Sequence, residues 1–521
     1  MVPNIGPFRA ENSGEIPFDI VIKKGTIVDG TGGPQYSGDV GVNDGHISKI
    51  GDLGNTRASL RINALGLVVA PGFVDIHTHS DEAIGQLPLA QNYLHQGVTT
   101  IVGGHCGDSI YPVGERLTSL EGVGLGINFA MLVGHSTIRK QVMGMADCGP
   151  TGDDLERMKA LVAGAMGEGA FGISTGLYYA PGSYSKTEEI IELARVAAKY
   201  GGIYASHIRD EGDFNVGLVA AVKEAIEIGE KASVPVQIAH LKALGRSAWG
   251  KSVEVLELIR EGRARGIDVT FDQYPYIASE TTLIGAVVPG WAQAGGESKL
   301  RERLVDSAAR EKIRAEVALS IDKRGGPDRL FIGRFGPDAS LEGRDLEEVS
   351  KIRGKEPVDA AIDILLAGEA EVISFNMCDE DVIQIMKSPV GMVASDGGVV
   401  GPGKRAPHPR YYGTFPRVLG TYVREEGILS LEEAVRKMTS GPALRLGMRD
   451  RGMIKEGKVA DITVFDPDAV TDRASFENPS LYPEGIEYVI VNGQVVLSEG
   501  KWTGAKAGKV LYGEGSLLRS S

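Results

Sequence analysis

The chain has few cysteines and no long apolar segment. Its 521 residues include three cysteines, Cys106, Cys148 and Cys378, which are too few and too scattered for a disulfide framework. No apolar run approaches the roughly 20 residues of a membrane-spanning helix, and the first residues lack the basic and apolar layout of a secretory signal. These absences predict a cytoplasmic protein with free thiols, any of which could bind a metal.

An excess of basic residues is also missing. The chain carries 69 acidic and 55 basic side chains, for a formal net charge of −14. A surface of this sign repels phosphate backbones and anionic lipid headgroups. We therefore expect no nucleic-acid partner and no membrane partner. The composition does not indicate which oligomeric state the chain adopts.

Two β-rich ends flank a long central region. Short apolar strands and turn signals recur over residues 18–67, and the same texture returns at 460–466 and 486–496. This pattern predicts one small β-sandwich domain built from both termini, covering residues 1–67 and 447–521. Residues 68–446 would then be inserted in it.

The central region alternates apolar strands with amphipathic helices, which predicts an α/β fold of the (β/α)8 TIM-like barrel type. A ninth extended segment at 372–375 leaves a nine-strand count open. Residues from about 281 to 370 break the rhythm and predict an insertion beside the barrel mouth. The eight predicted strands cover residues 68–77, 98–106, 127–135, 170–177, 202–207, 234–240, 267–274 and 391–396.

The first of these strands ends in His77-Thr78-His79. Histidines at i and i+2 of an extended strand point to the same side, so both imidazoles can reach one metal ion. Two histidines do not complete a zinc shell, and in a barrel the remaining ligands are expected where other strands end. The candidates at those strand ends are Cys106, His207, His240 and Asp396.

Further motifs share the order of these ligands along the chain. They are Pro71-Gly72-Phe73, Cys106-Gly107, Ser174-Thr175-Gly176-Leu177, His207-Ile208-Arg209, Ser395-Asp396-Gly397 and the run HPRYYGTFPR at 408–417. Together they span nearly the whole chain and resemble the N-acyl-D-amino-acid deacylase (D-aminoacylase) family of the amidohydrolase superfamily. The run at 408–417 is the most family-specific of them.

The resemblance also implies a metal-binding arrangement. In relatives with a carboxylated lysine the fourth strand supplies a bridging ligand, but residues 170–176 contain no lysine, and Cys106 takes that place. A thiolate among imidazoles favours Zn²⁺ over Mg²⁺ or Mn²⁺. The implied arrangement is a tight zinc held by Cys106, His207 and His240, with His77, His79 and Asp396 around a second, weaker metal position.

The same resemblance implies roles in catalysis and substrate binding. Zinc-bound water would attack an amide carbonyl, and Asp396 would take its proton and return it to the leaving amine. Tyr179 and Tyr274 are implied pocket residues, although Tyr178 and Tyr276 compete with them, and Tyr274 is a candidate oxyanion donor. Arg410 is expected to read a substrate carboxylate with its two-pronged guanidinium, and Lys242 faces the same side as His240.

These features predict zinc-dependent hydrolysis of N-acyl-D-amino acids, which are small-molecule substrates. The preference for D over L is implied by the resemblance alone. A D-stereospecific dipeptidase of the same fold is the nearest alternative, and a cyclic-amide hydrolase is disfavoured by the missing lysine. A non-enzymatic barrel would have lost its ligands, and all of them are present here.

Residues 245–252 match a nucleotide-binding pattern. They read GRSAWGKS, which satisfies the P-loop spacing between a predicted strand and a predicted helix. Bulky Arg246 and Trp249 suit a phosphate cradle poorly, and the preceding strand already supplies His240. We therefore expect no nucleotide site in this loop.

Overall fold

The computed structural model describes residues 18–401, 403–404 and 406–519, and residues 1–17 of the predicted β domain lie outside them. Strands and helices alternate in a mixed α/β fold. The strands are β1 Phe18–Ile27, β2 Tyr36–Asn43, β3 His46–Gly51, β4 Ala58–Asn63, β5 Val68–Pro71, β6 Phe73–Asp75, β7 Val98–Gly103, β8 Asn128–Met131, β9 Val133–Gly134, β10 Gly172–Gly176, β11 Ile203–His207, β12 Val236–Ile238, β13 Val269–Gln273, β14 Ser279–Thr282, β15 Leu330–Arg334, β16 Glu371–Ser374, β17 Gly391–Val393, β18 Ile462–Phe465, β19 Ile486–Val491, β20 Gln494–Ser498 and β21 Lys501–Trp502.

The helices follow the strands along the chain. The α-helices are α1 Ala83–Gln86, α2 Gln91–Leu94, α3 Val113–Glu121, α4 His135–Met143, α5 Gly152–Gly167, α6 Thr187–Lys199, α7 Leu218–Ala232, α8 Ser252–Ala264, α9 Leu283–Val287, α10 Gly290–Gln293, α11 Glu297–Val305, α12 Ser307–Lys323, α13 Leu346–Arg353, α14 Pro357–Ala367, α15 Asp379–Met386, α16 Arg410–Arg417, α17 Leu431–Met438 and α18 Ser440–Arg445. Short 3₁₀ turns and one π-helical segment, Val418–Glu425, complete the set. No helix in the described ranges combines the length and the apolar character needed to cross a membrane.

Both chain ends contribute to one nine-stranded mixed sheet. Its order is β21-β20-β19-β18-β5-β1-β2-β3, and β4 pairs with β1. The two ends meet at β5, which runs antiparallel to β18 and parallel to β1. Apolar side chains of this sheet, including Ile22, Val40, Ile62 and Ile462, form one cluster drawn from both chain ends.

The predicted strand 68–77 is two strands rather than one. β5 belongs to the terminal sheet, whereas β6 pairs with β7. Gly72 lies between them, and a Cβ there would come within 2.2 Å of the Thr99 side chain. The chain therefore changes sheet at a residue that has no room for a side chain.

The central strands run parallel to one another. One sheet has the order β6-β7-β8 and the other β9-β10-β11-β12-β13-β17, with Leu132 alone separating β8 from β9. The segment after β17 pairs with the segment after β6. Thr78 bridges Gly397 in parallel, and the His79 N–H donates to Gly397 O at 2.7 Å. All the carboxyl ends of these strands consequently lie at one edge.

The predicted insertion forms a separate layer. β14, β15 and β16 make an antiparallel sheet in the order β14-β16-β15, and helices α9 to α14 bury an apolar cluster of their own. The segment at 372–375, which the sequence left open as a ninth central strand, pairs in this small sheet instead. The layer runs from Ser279 to Ser374, slightly beyond the predicted bounds.

The C-terminal segment does not stay with the terminal sheet. Gly508 bridges Leu125, and Val510 bridges Phe129 of β8. The Phe129 N–H donates to Lys509 O at 2.9 Å. Part of the segment predicted for the small β domain is therefore hydrogen-bonded to the central strands.

Candidate active site

The six predicted metal ligands converge at the carboxyl edge of the central strands. They fall into two groups that share Cys106, and within each group the ligand atoms lie within 4.8 Å of one another. The first group is His77, His79, Cys106 and Asp396, and the second is Cys106, His207 and His240. Five of the six line a cavity of about 420 Å³, and His77 lies fully buried beneath it.

Cys106 occupies the centre of the arrangement. Its Sγ lies 3.5 Å from His77 Nε2 in one group and 3.5 Å from His240 Nε2 in the other. Both nitrogens of His207 are buried and have no hydrogen-bond partner among the described residues. Burial raises the pKa of the Cys106 thiol well above its usual value, and nearby Asp396 adds to this. A thiol together with imidazole nitrogens that have no hydrogen-bond partner forms a set of ligand atoms that fits zinc.

Three of the ligands have an unusual backbone conformation. The φ angles of Cys106, His240 and Asp396 are 53°, 34° and 52°, in the left-handed region that non-glycine residues rarely adopt. Such conformations cost of order 1–3 kcal/mol each and persist where the surrounding structure imposes them. The turn after each of the three strands thereby directs a ligand into the cavity.

Asp272, at β13, orients two ligands from below. Its Oδ1 lies 3.1 Å from His77 Nδ1 and accepts from the His240 N–H at 2.7 Å, while Oδ2 accepts from Gln237 Nε2 at 2.8 Å. Burial opposes its ionisation, but His77 holds the pKa of Asp272 below the usual value. An ionised Asp272 keeps the His77 proton on Nδ1, which leaves Nε2 available to a metal.

Glu211 supports the second group in a similar way. Its Oε1 lies 2.9 Å from His240 Nδ1 and accepts from Lys242 Nζ at 2.5 Å, and its Oε2 lies 3.7 Å from His207 Nε2. Burial works against ionisation, yet the Lys242 charge keeps the pKa of Glu211 well below its usual value. Lys242 therefore lies at the cavity as predicted, with its ammonium group bound to Glu211.

Asp396 is surrounded by positive and hydrogen-bonding groups. Its Oδ1 lies 3.0 Å from His79 Nε2 and 3.3 Å from His77 Nε2, and its Oδ2 accepts from Arg410 Nη1 at 2.7 Å. Burial opposes the charge, but Arg410 holds the pKa of Asp396 well below its usual range. Arg410 lies in the cavity as predicted, and its Nε is also 3.4 Å from Glu280 Oε2. Burial raises the pKa of Glu280 to about 7.

The structure separates the competing tyrosines at one position only. Tyr274 lines the cavity, and its hydroxyl is buried without a hydrogen-bond partner among the described residues. Tyr276 instead packs its ring 5.2 Å from that of His408, outside the cavity lining. Tyr178 and Tyr179 both line the cavity, and the Tyr179 ring lies 4.7 Å from that of His207.

One further histidine packs against the site. His105 stacks on His77 with ring centroids 4.1 Å apart.

The loop with the P-loop spacing is occupied by a protein carboxylate. The Gly250 N–H donates to Asp381 Oδ2 at 2.8 Å, and the Ser252 hydroxyl also donates to Asp381. Asp272, Glu211 and Glu280 are site residues that the sequence patterns did not single out.

A model of the amidohydrolase family matches residues 61–497. The chain belongs to the amidohydrolase family. This amidohydrolase is 38% identical over 518 residues to D-aminoacylase of Alcaligenes xylosoxydans xylosoxydans, covering 95% of the chain and 98% of that protein. It is 36% identical over 504 residues to the N-acyl-D-glutamate deacylase of the same organism, covering 92% and 94%. The predicted membership of the N-acyl-D-amino-acid deacylase family is thus confirmed.

Solved structures agree with the sequence relatives. The amidohydrolase superposes with a TM-score of 0.83 and 37% identity on a D-aminoacylase described as having a binuclear metal centre, covering 95% of this chain and 100% of that one. It superposes with a TM-score of 0.82 and 34% identity on N-acyl-D-glutamate deacylase from Bordetella bronchiseptica, complexed with zinc and a phosphonate inhibitor, covering 95% and 99%.

Proposed function

We propose that this amidohydrolase is a zinc-dependent N-acyl-D-amino-acid deacylase, which releases a carboxylate and a free D-amino acid. The observation that carries the proposal is the sharing of Cys106 between two groups of ligand atoms within 4.8 Å of one another. Relatives that are 36–38% identical over most of the chain are D-aminoacylase and the N-acyl-D-glutamate and N-acyl-D-aspartate deacylases. The lysine-bridged cyclic-amide alternative has no such support.

The proposed metal arrangement follows the two groups. Cys106, His207 and His240 would hold one tight zinc, and His77, His79 and Asp396, with the shared Cys106, would form a second, weaker position. Zinc bound there would lower the pKa of a water ligand and polarise the substrate carbonyl. The orphaned nitrogens of buried His207 and the Nε2 atoms of His77 and His240 beside the thiol support this assignment.

The protein residues would move the proton and position the substrate. Arg410 favours the carboxylate form of Asp396 by lowering its pKa, and that carboxylate would accept a proton from the attacking water and return it to the leaving amine. The free hydroxyl of Tyr274 would donate to the developing oxyanion, and the Tyr179 ring would pack against the substrate. Arg410 would bind the substrate carboxylate through donors not used by Asp396, with Lys242 on the same side.

We propose for the whole chain the domain arrangement that the sequence predicts. Eight strands, β6 to β13 and β17 with β8 and β9 continuous, would form the (β/α)8 TIM-like barrel within residues 68–446, of which β5 joins the terminal sheet, with the insertion at about 281–370. Residues 1–67 and 447–521 would form the small β-sandwich domain, and the enzyme would be cytoplasmic. The return of hydrogen bonding from β17 to β6 and the apolar cluster shared by both chain ends support this division.

The test compares the wild type with Cys106→Ala, and exposed Cys148→Ala serves as the matched control. We measure zinc content and the hydrolysis of N-acetyl-D-methionine and N-acetyl-L-methionine. We expect bound zinc and D-selective hydrolysis in the wild type and in Cys148→Ala, and loss of both in Cys106→Ala. Zinc without turnover of either enantiomer would instead favour the D-dipeptidase alternative, and absence of zinc would overturn the mechanism.

A further inference from the structure

The insertion supplies an acidic wall to the active-site cavity. Glu280 lies on β14, Glu371 begins β16, and Glu369 lies two residues before Glu371. All three line the cavity. Glu371 pairs in register with Thr282, two residues beyond Glu280, so the small antiparallel sheet carries the acids on neighbouring strands.

Protein cations satisfy these carboxylates incompletely. Glu280 has a side chain only 5% exposed, and its Oε2 accepts no hydrogen bond in the described structure, although Arg410 Nε lies 3.4 Å away. Glu371 Oε2 is likewise buried without a hydrogen bond there, and its ion-pair partner Arg334 lies 3.4 Å away with a side chain 48% exposed. Within the described ranges, Glu369 has no cation at ion-pair distance. Buried carboxylate oxygens without donors call for a donor from elsewhere.

The cations of the cavity are already engaged. Lys242 is bound to Glu211, and Arg410 lies between Asp396 and Glu280. Arg324 is buried and donates to Ala286 O, Ser374 Oγ and Tyr178 Oη. Asp396 and Glu211 belong to the proposed metal site and its support, so the acidic groups left to face a substrate side chain include the three carboxylates of the insertion, Glu280, Glu369 and Glu371. This acidic wall disfavours an anionic substrate side chain and favours a cationic one.

We propose, given the deacylase function argued above, that the preferred substrates are N-acyl-D-amino acids with a cationic side chain, such as D-arginine and D-lysine derivatives. The substrate side chain leaves the same carbon atom as the α-carboxylate, so with that carboxylate at Arg410 the side chain starts beside Glu280. A guanidinium or ammonium group can then donate to Glu280 and Glu371, with Glu369 at the exposed rim. A cavity of about 420 Å³ has room for such a substrate.

The first experiment compares substrates that differ in side-chain charge, two of which have nearly the same shape. We measure kcat/KM of the zinc-loaded enzyme for N-acetyl-D-arginine, its uncharged analogue N-acetyl-D-citrulline, and N-acetyl-D-glutamate. We expect N-acetyl-D-arginine to exceed the citrulline derivative about tenfold or more, the ratio that a charge-assisted hydrogen bond supplies, and to exceed the glutamate derivative by a larger factor. A ratio near one, or a preference for glutamate, overturns the proposal.

The second experiment removes the charge from the wall. Glu371→Gln should reduce the arginine-to-citrulline ratio severalfold or more. Exposed Glu369→Gln should reduce the ratio by a smaller factor, and it replaces Glu371→Gln as the test if that variant does not fold. Exposed Glu311→Gln on α12 is the matched control. An unchanged ratio in both wall variants contradicts the assignment. Failure to hydrolyse any of the three D-substrates would instead count against the deacylase function itself.

Discussion

Asp272 contacts two proposed ligands, and its contribution can be measured apart from theirs. Its Oδ1 lies within hydrogen-bond distance of His77 Nδ1 and of the His240 N–H. Groups that orient metal-ligating histidines in this way change metal affinity when they are altered, because the imidazole loses both its fixed tautomer and its orientation. The effect should therefore appear in zinc binding before it appears in stability.

We predict that Asp272→Asn lowers zinc affinity about 10- to 100-fold. The amide cannot carry the charge that favours the Nδ1 proton on His77. Its NH₂ group is a donor, so it cannot accept the hydrogen bonds that the carboxylate oxygen accepts. Competition with a chromophoric chelator measures the affinity. Asp268→Asn is the control, because Asp268 lies just before β13 with a side chain 59% exposed and pairs with Arg445. An affinity equal to that of the wild type would show that Asp272 does not orient the metal site.

Tyr274 has a different proposed role, because it lines the cavity and its buried hydroxyl has no hydrogen-bond partner among the described residues. We predict that Tyr274→Phe reduces kcat about 10²- to 10³-fold while zinc content stays unchanged, as expected for loss of an oxyanion donor. Steady-state kinetics with N-acetyl-D-methionine and metal analysis check this. Tyr276→Phe, a neighbouring buried tyrosine outside the cavity lining, should retain activity. Equal activity of the two variants would remove Tyr274 from the mechanism.

At the scale of elements, a buried ionic cluster joins α4 to α6. Glu189 Oε1 lies 2.8 Å from His135 Nε2, and the carboxylate accepts from Arg139 Nη1 at 2.8 and 2.7 Å. All three side chains are at most 2% exposed. Burial alone would raise the pKa of Glu189, but the hydrogen bond with His135 and the charge of Arg139 lower it below the usual value.

This pKa shift gives a pH-dependent prediction for stability. Because the pKa of Glu189 is lower in the folded chain than in the unfolded chain, its stabilising contribution is complete above about pH 4.5 and disappears as the pH falls through the folded value. Glu189→Gln should reduce the free energy of unfolding by about 3 kcal/mol at neutral pH, with a gap that shrinks below about pH 4.5.

Urea unfolding of the wild type and Glu189→Gln at several pH values measures that gap. Effects common to both proteins, such as release of metal in acid, cancel in the difference. Glu188→Gln is the matched control, because Glu188 is the exposed neighbour on the same helix. A gap that does not depend on pH would mean that the Glu189 charge contributes nothing.

At the scale of the whole molecule, the proposed metal site links distant parts of the chain. Its candidate ligands lie at or just beyond the ends of β6, β7, β11, β12 and β17, and His79 and Asp396 are 317 residues apart. A metal bound by these residues in the folded chain alone stabilises the fold in proportion to RT ln(1 + [Zn]/Kd), which is about 2.7 kcal/mol at a hundredfold excess over Kd.

We therefore predict that chelation lowers the Tm of the wild type and that added zinc restores it, whereas magnesium does not, because the thiolate and imidazoles favour the softer ion. Thermal scans at a fixed heating rate measure this change. Cys106→Ala should unfold near the temperature of the chelated wild type and respond little to zinc. A wild-type Tm that is insensitive to chelation would show that zinc does not stabilise the fold.

Local patterns in the sequence predicted much of this protein. Apolar runs, several of them ending in His, Cys or Asp, marked the strands, and β7, β10, β11, β12, β13 and β17 all lie within predicted ranges. Strand ends also predicted the convergence of six ligands, because the carboxyl ends of parallel strands meet at one edge. These features follow from side-chain periodicity and parallel strand order, both of which a sequence displays directly.

The tertiary structure alone decided which partner each of these groups meets. The division of 68–77 between two sheets and the pairing of β16 within the insertion depend on hydrogen bonds between strands, which apolar periodicity does not specify. The left-handed backbone at Cys106 and the contacts of Asp272 and Glu211 with histidines also arise from packing. An acidic residue has the same appearance in a sequence whether it is solvated or buried beside a ligand, so its role becomes visible only once distant segments are brought together.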